Sequence, residues 1–94
     1  MKSFILLAIL VGCSSGPSGK LTEKAKELEV YGTKPANCNV VGKVVGVDKM
    51  GSKDLAQNHA LNQSADLGAT GMFVDQTVPN GKKMQVFATA YQCE

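Results

Sequence analysis

The side chains able to do chemistry are few, and their spacing is poor for it. The chain has three cysteines, Cys13, Cys38 and Cys93, and one histidine, His59. His59 falls in the middle of a predicted helix. Its neighbours one turn away, Leu55 and Gln63, offer neither a metal ligand nor a catalytic partner, so it reads as a structural or surface histidine. Asp48, Asp54, Asp66 and Asp75 belong to different predicted elements and lack the spacing of an acid/base pair or a calcium loop. Ser14, Ser15, Ser18, Ser52 and Ser64 have no nucleophile-elbow context. Met50, Met72 and Met84 lie in separate elements and read as core filling rather than as copper ligands. Gly42 and Gly46 sit inside a strand pattern, not in a phosphate loop. These residues point away from an enzyme, and no metal or cofactor is expected.

Cys13 stands apart from the other two cysteines. Before it come Lys2 and an unbroken apolar run over residues 4–11, and after it the composition turns at once to Ser14-Ser15-Gly16-Pro17-Ser18-Gly19. A charged start, a short apolar stretch and a small residue at the end are the parts of a secretory signal. The run is too short to cross a bilayer core, which needs about 20 apolar residues. Leu10-Val11-Gly12-Cys13 resembles a bacterial lipobox. The resemblance implies removal of residues 1–12, a diacylglyceryl group on the Cys13 sulfur, and an acylated (palmitate-type) amino terminus. Two or three such chains hold a protein to a membrane stably, at about 0.8 kcal/mol per buried methylene. Ser14 after the lipidated cysteine resembles the outer-membrane sorting pattern. The expected location is therefore the cell envelope, on the outer membrane facing the periplasm.

What remains is one domain at most. Residues 13–25 read as the lipidated cysteine and a Gly/Ser/Pro linker, and residues 26–94 as the domain. A folded part of this size buries only about 60% of its chain surface and is marginally stable. All ten basic residues are lysines, and without Lys2 they nearly balance the eight acids. A nucleic-acid binder shows a clustered basic stripe with arginine, so nucleic acid is excluded as a partner. Lys82-Lys83 reads as a solvated hairpin tip. Cys38 and Cys93 lack C-x-x-C spacing. In an exported chain such a pair reads as a disulfide, with two free buried thiols as the alternative.

The elements follow from pattern. Lys26 to Tyr31 reads as a short strand, although Leu21, Ala25 and Leu28 also fit a helical stripe. The β-branched run from Cys38 to Val47 is a strand interrupted by Gly42 and Gly46. Asp54 reads as an N-cap with Gln57 three residues on, opening a helix with Ala56, Ala60, Ser64 and Leu67 on one stripe. Gly68 falls where a helix ends in a left-handed residue. Two strands follow, joined by Asn80-Gly81, a type I′ turn signal. A two-residue loop there pairs Val74 with Phe87 and Phe73 with Ala88. Both faces of this hairpin carry apolar side chains, and pattern alone does not say which meets the helix. The expected fold is α+β, order β-β-α-β-β, with one helix packed on a small, mainly antiparallel sheet and one disulfide.

Cys38-x-x-Val41-Gly42-x-Val44-x-Gly46, a small-residue helix and Leu67-Gly68-Ala69 now stand in order behind a lipobox. Together they resemble a family of small bacterial lipoproteins of unknown function, similar in the soluble domain to the Rcs-pathway outer-membrane stress-sensor lipoproteins. The resemblance covers about residues 30–93. It implies an envelope lipoprotein that works through protein partners. Those sensors have two disulfides and a long proline-rich linker, whereas this chain has cysteines for one bridge and a spacer of a few residues. The leading expectation is a lipid-anchored, non-catalytic interaction module with an envelope protein as partner. The alternatives are a small ligand- or metal-binding oligomeric module and a purely structural lipoprotein.

Overall fold

Gly46 lets the helix and the sheet touch backbone to backbone. In the computed structural model, which describes residues 19–93, a 3-10 turn at Ala25–Glu27 leads into β1 (Glu29–Tyr31). β2 (Cys38–Asp48), α1 (Lys53–Asp66), β3 (Gly71–Asn80) and β4 (Lys83–Cys93) follow. The four strands form one sheet in the order β1-β3-β4-β2. β4 runs antiparallel to both β2 and β3, while β1 pairs with β3 in parallel, so the sheet is mixed. The molecule is thus α+β, with one helix lying on one face of the sheet.

Small side chains make that packing possible. Ala56 and Ala60 of α1 are fully buried, as are Ser64, Val86, Ala90 and Met72. A Cβ placed on Gly46 would lie 2.6 Å from the Ala60 amide nitrogen and would overlap the Ala56 carbonyl oxygen. On this face Gly46 sits opposite Val86, Val44 opposite Ala88 and Gly42 opposite Ala90. Strand residues alternate between faces, so these pairs form the floor on which α1 rests.

Several local expectations change in the structure. The helix opens at Ser52, not Asp54: the Ser52 side chain accepts from the Leu55 amide at 3.2 Å. The reason is the preceding turn, where Asp48 Oδ2 accepts from the Ser52 amide at 2.8 Å and the Met50 amide at 3.2 Å. That bonding leaves Ser52 in an extended conformation at the helix entry. Asp54 sits in the first turn, where a carboxylate favours the helix dipole. At the other end Gly68 donates to the Ala65 carbonyl at 3.0 Å and Ala69 to the Ser64 carbonyl at 3.1 Å, a Schellman arrangement with Gly68 at φ +83°.

The strand expected from Lys26 is only Glu29–Tyr31, and the residues before it form the 3-10 turn. Thr22 Oγ1 accepts from the Ala25 amide at 3.2 Å. Ala25 is buried, and Leu21 and Leu28 pack beside it against the core. The helical stripe seen in the sequence is therefore what orders this segment. The hairpin register also differs: Asn80 stays in the ladder opposite Lys83, and the two-residue loop is Gly81-Lys82, with Gly81 at φ +67°. Val74 then faces Ala88 and Phe73 faces Thr89, with a bulge between Val74 and Gln76.

Gly46→Ala should cost about 3 kcal/mol, because backbone on both sides resists the new methyl. Gly42→Ala meets only the flexible Leu67 Cδ1 at 2.9 Å, and should cost under about 1 kcal/mol. Urea midpoints of the two variants compare them directly.

Candidate functional site

Cys38 and Cys93 form a disulfide. They are directly opposed on β2 and β4, with Cα atoms 4.4 Å apart, the spacing of a pair between ladder bonds. The Tyr31 hydroxyl lies 3.0 Å from Cys93 Sγ. To reach it, the ring crosses Gly71 of β3, where any Cβ would stand 2.6 Å from ring atoms. The edge of one ring meets the other in the Tyr31–Tyr91 pair, with centroids 6.3 Å apart. One end of the sheet is therefore clasped across all four strands, from β1 over β3 to the β4–β2 bridge.

His59 and Gln63, one turn apart on α1, have a structural task that the sequence did not reveal. The Val47 amide donates to His59 Nδ1 at 3.0 Å, and Gln63 Nε2 donates to the Val45 carbonyl at 2.6 Å. β2 is an edge strand, and alternate residues of such a strand turn both backbone groups outward. The two side chains thus cover part of an otherwise open edge. Acceptance at Nδ1 leaves the ring proton on Nε2.

The aspartates do not converge. Asp48 holds the turn before α1, Asp75 accepts from Thr89 Oγ1 at 2.7 Å, and Asp54 and Asp66 are exposed near the two ends of the helix. Among the described residues no group of three His, Cys, Asp or Glu side chains is placed to hold a metal ion. Met72 is buried in the core and Met84 packs against it. Met50, expected as core filling, is instead 87% exposed, because the Asp48-bound turn carries it outward. Cys13 lies outside the described residues.

The sheet face opposite α1 is the least expected surface. Positions facing away from the helix are Tyr31 on β1 and Phe73 on β3, with Phe87, Thr89 and Tyr91 on β4. Their partners across the ladder on β2 are Val45 beside Phe87, Lys43 beside Thr89 and Val40 beside Tyr91. Tyr91 and Thr89 are buried, Phe73 and Phe87 half-buried, while Val40 is 57% and Val45 37% exposed. Among the described residues no element packs on this face, since α1 lies against the other. A shallow groove of about 340 Å³ between the 3-10 turn and the end of α1 is lined by Lys24, Glu27, Leu28 and Gly68 among others, with no buried polar group aimed into it. The aromatic face is the stronger candidate.

No protein family, curated protein or solved structure matches the chain.

Reduction of the bridge removes a constraint on a loop with a sequence separation of 55 residues, and should cost about 4 kcal/mol on the chain-entropy treatment. Urea unfolding with and without a phosphine reductant measures it, and equal midpoints would contradict it. Replacing His59 or Gln63 by Ala should each lower stability by about 1 kcal/mol, the net value of one such bond. Amide exchange at Val47 should rise in the His59→Ala protein and not in Gln63→Ala.

Proposed function

We propose that this chain is an envelope lipoprotein, anchored through Cys13, whose domain binds another envelope protein without catalysing a reaction. The observation that carries this reading is the sheet face that no described element covers, where half-buried Phe73 and Phe87 and exposed Val40 and Val45 surround Thr89 and Lys43. Apolar and aromatic side chains turned outward, with Lys43 and Asp75 as the charges among them, suit an interface, where aromatics are enriched and charge is thinned. The two rings are held on adjacent, disulfide-linked or hairpin-linked strands, so little side-chain order is lost on docking. The lipobox resemblance supplies the anchor, and the motif resemblance to stress-sensor lipoproteins agrees with a protein as partner. The short spacer argues for a partner close to the membrane rather than one across the periplasm.

In-cell crosslinking of the tagged full chain, read by mass spectrometry, should recover one near-stoichiometric envelope protein. Val45→Lys should abolish that crosslink, while its stability in urea unfolding stays within about 0.5 kcal/mol, as for most surface substitutions. A crosslink pattern unchanged by Val45→Lys, or only self-crosslinks, would overturn the interface. Separately, Cys13→Ala should release the protein from carbonate-washed membranes, and retention there would overturn the anchor.

A further inference from the structure

The end of the domain away from the disulfide gathers charge. Asp48 at the end of β2 pairs with Met84 at the start of β4, which brings the β2–α1 turn beside the β3–β4 hairpin tip. The two loops touch: a Cβ on Gly51 would stand 3.0 Å from the Lys82 carbonyl oxygen. Lys49, Lys53, Lys82 and Lys83 are all exposed here. Among the described residues the one ion pair is Lys26–Glu23, so none of these four lysines is neutralised by a carboxylate. Asp48 is turned into its own loop, where its carboxylate accepts from the Met50 and Ser52 amides. Asp54 is the remaining exposed acid at this end.

At the crest of the turn stands Met50, 87% exposed. Its display is built into the fold: Asp48 Oδ2 accepts from the Met50 amide at 3.2 Å, the Asp48 carbonyl accepts from the Gly51 amide at 3.2 Å, and Gly51 holds φ +86°. An apolar side chain raised among four unpaired lysines has the makings of an interfacial contact, with the apolar part entering the headgroup layer and the charges meeting phosphates.

The path of the chain agrees. Gly19, the first described residue, accepts from Asn58 Nδ2 at 2.7 Å, Lys20 accepts from Asn62 Nδ2 at 2.8 Å, and Glu29 reaches Thr70 beyond the end of the helix. The segment thus enters beside the N-terminal half of α1, the half nearer the lysines, and runs towards the helix C-terminus. The six peptide steps from Cys13 to Gly19 reach at most about 20 Å, which lets a lipid on Cys13 and the loop end of the domain meet the same bilayer.

We propose that Lys49, Met50, Lys53, Lys82 and Lys83 form a docking surface for an anionic lipid bilayer. The chain-path argument rests on the anchor reading above, whereas the charge and the exposed methionine do not. Docked this way, the domain stands on its loop end, and the aromatic sheet face is left free at the side.

The test uses the full chain carrying Cys13→Ala, so that no acyl group contributes, and Met50→Trp as a reporter in a chain that has no other tryptophan. Vesicles of phosphatidylcholine are compared with vesicles in which about a third of the lipid is phosphatidylglycerol. The protein also carries Lys2→Gln and an acetylated amino terminus, so that residues 4–11 bind both vesicles alike and drop out of the ratio. Each lysine near an anionic surface contributes about fivefold, so the anionic vesicles should bind about 100-fold more tightly or better, with a blue shift of the Trp emission. At about 1 M salt, where screening acts within about 3 Å, the preference should collapse. Changing all four lysines to Gln should bring the ratio to within about threefold of one, and changing all four to Arg should preserve it, with circular dichroism checking the fold of each.

Equal binding to both vesicles, a preference that survives the Gln changes, or loss of binding in the Arg protein would overturn the proposal. So would crosslinking of the lysines in cells to an acidic protein in place of lipid. Because the vesicle protein carries no lipid, its failure is separate from failure of the Cys13 anchor, which membrane fractionation reads.

Discussion

Everything in this domain depends on how closely α1 approaches β2. At Gly46 the helix backbone and the strand backbone meet with no side chain between them, and Ala56 and Ala60 supply the helix half of that contact. Dispersion falls off steeply with distance, so a layer interface built from alanine and glycine holds only at this separation. The close approach also puts His59 and Gln63 within reach of the outward backbone groups of Val47 and Val45. A longer side chain at position 46 would lift the helix and break both bonds. The core packing and the covering of the sheet edge thus share one cause.

The two faces of the sheet follow from the same constraint. The face with Gly42, Gly46, Ala88 and Ala90 is shallow enough to accept a helix, whereas the face with Tyr31, Phe73, Phe87 and Tyr91 carries its bulk outward. With no second layer there among the described residues, the aromatic face is supported from within. Tyr31 lies over Gly71 and against Tyr91, Thr89 is satisfied by Asp75, and the bridge closes the end. The domain therefore presents a partly apolar surface, while four exposed lysines gather elsewhere, at the loop end around Met50. In the two proposals made above these surfaces divide the work, one towards a protein and one towards the bilayer.

The N-terminal segment shows how polar side chains replace apolar area in a small domain. Asn58 and Asn62, one turn apart, bond the backbone of Gly19, Lys20 and Thr22. Asn62 is almost wholly buried, and a buried amide is tolerated only when its hydrogen bonds are met. These bonds seat Leu21, Ala25 and Leu28 against the core. A pair of asparagines at helical spacing, in a helix otherwise rich in alanine, was the available sign of this role in the sequence.

Local preference and composition alone determined the element types: the β-branched run of β2, the alanine-spaced helix, its end at Gly68 and a hairpin expected at Asn80-Gly81, one residue before the loop observed. Composition also offered Cys38 and Cys93 as a pair, with free thiols as the alternative, and the structure joins them. These features were legible because each depends on a few neighbouring residues or on a count. The tertiary structure alone decided the register, through the loop at Gly81-Lys82 and bulges at Val40/Gly42 and Val74/Gln76 that no dipeptide announces. It also moved the helix cap to Ser52, raised Met50 out of the core, and set His59 to the backbone of an edge strand. Above all it chose which face of the sheet receives the helix. Alternation places apolar side chains on both faces, so the choice rests on their size. Glycine and alanine from β2 and β4 must align on one side before a helix can come close, and that alignment exists only once the strands are paired.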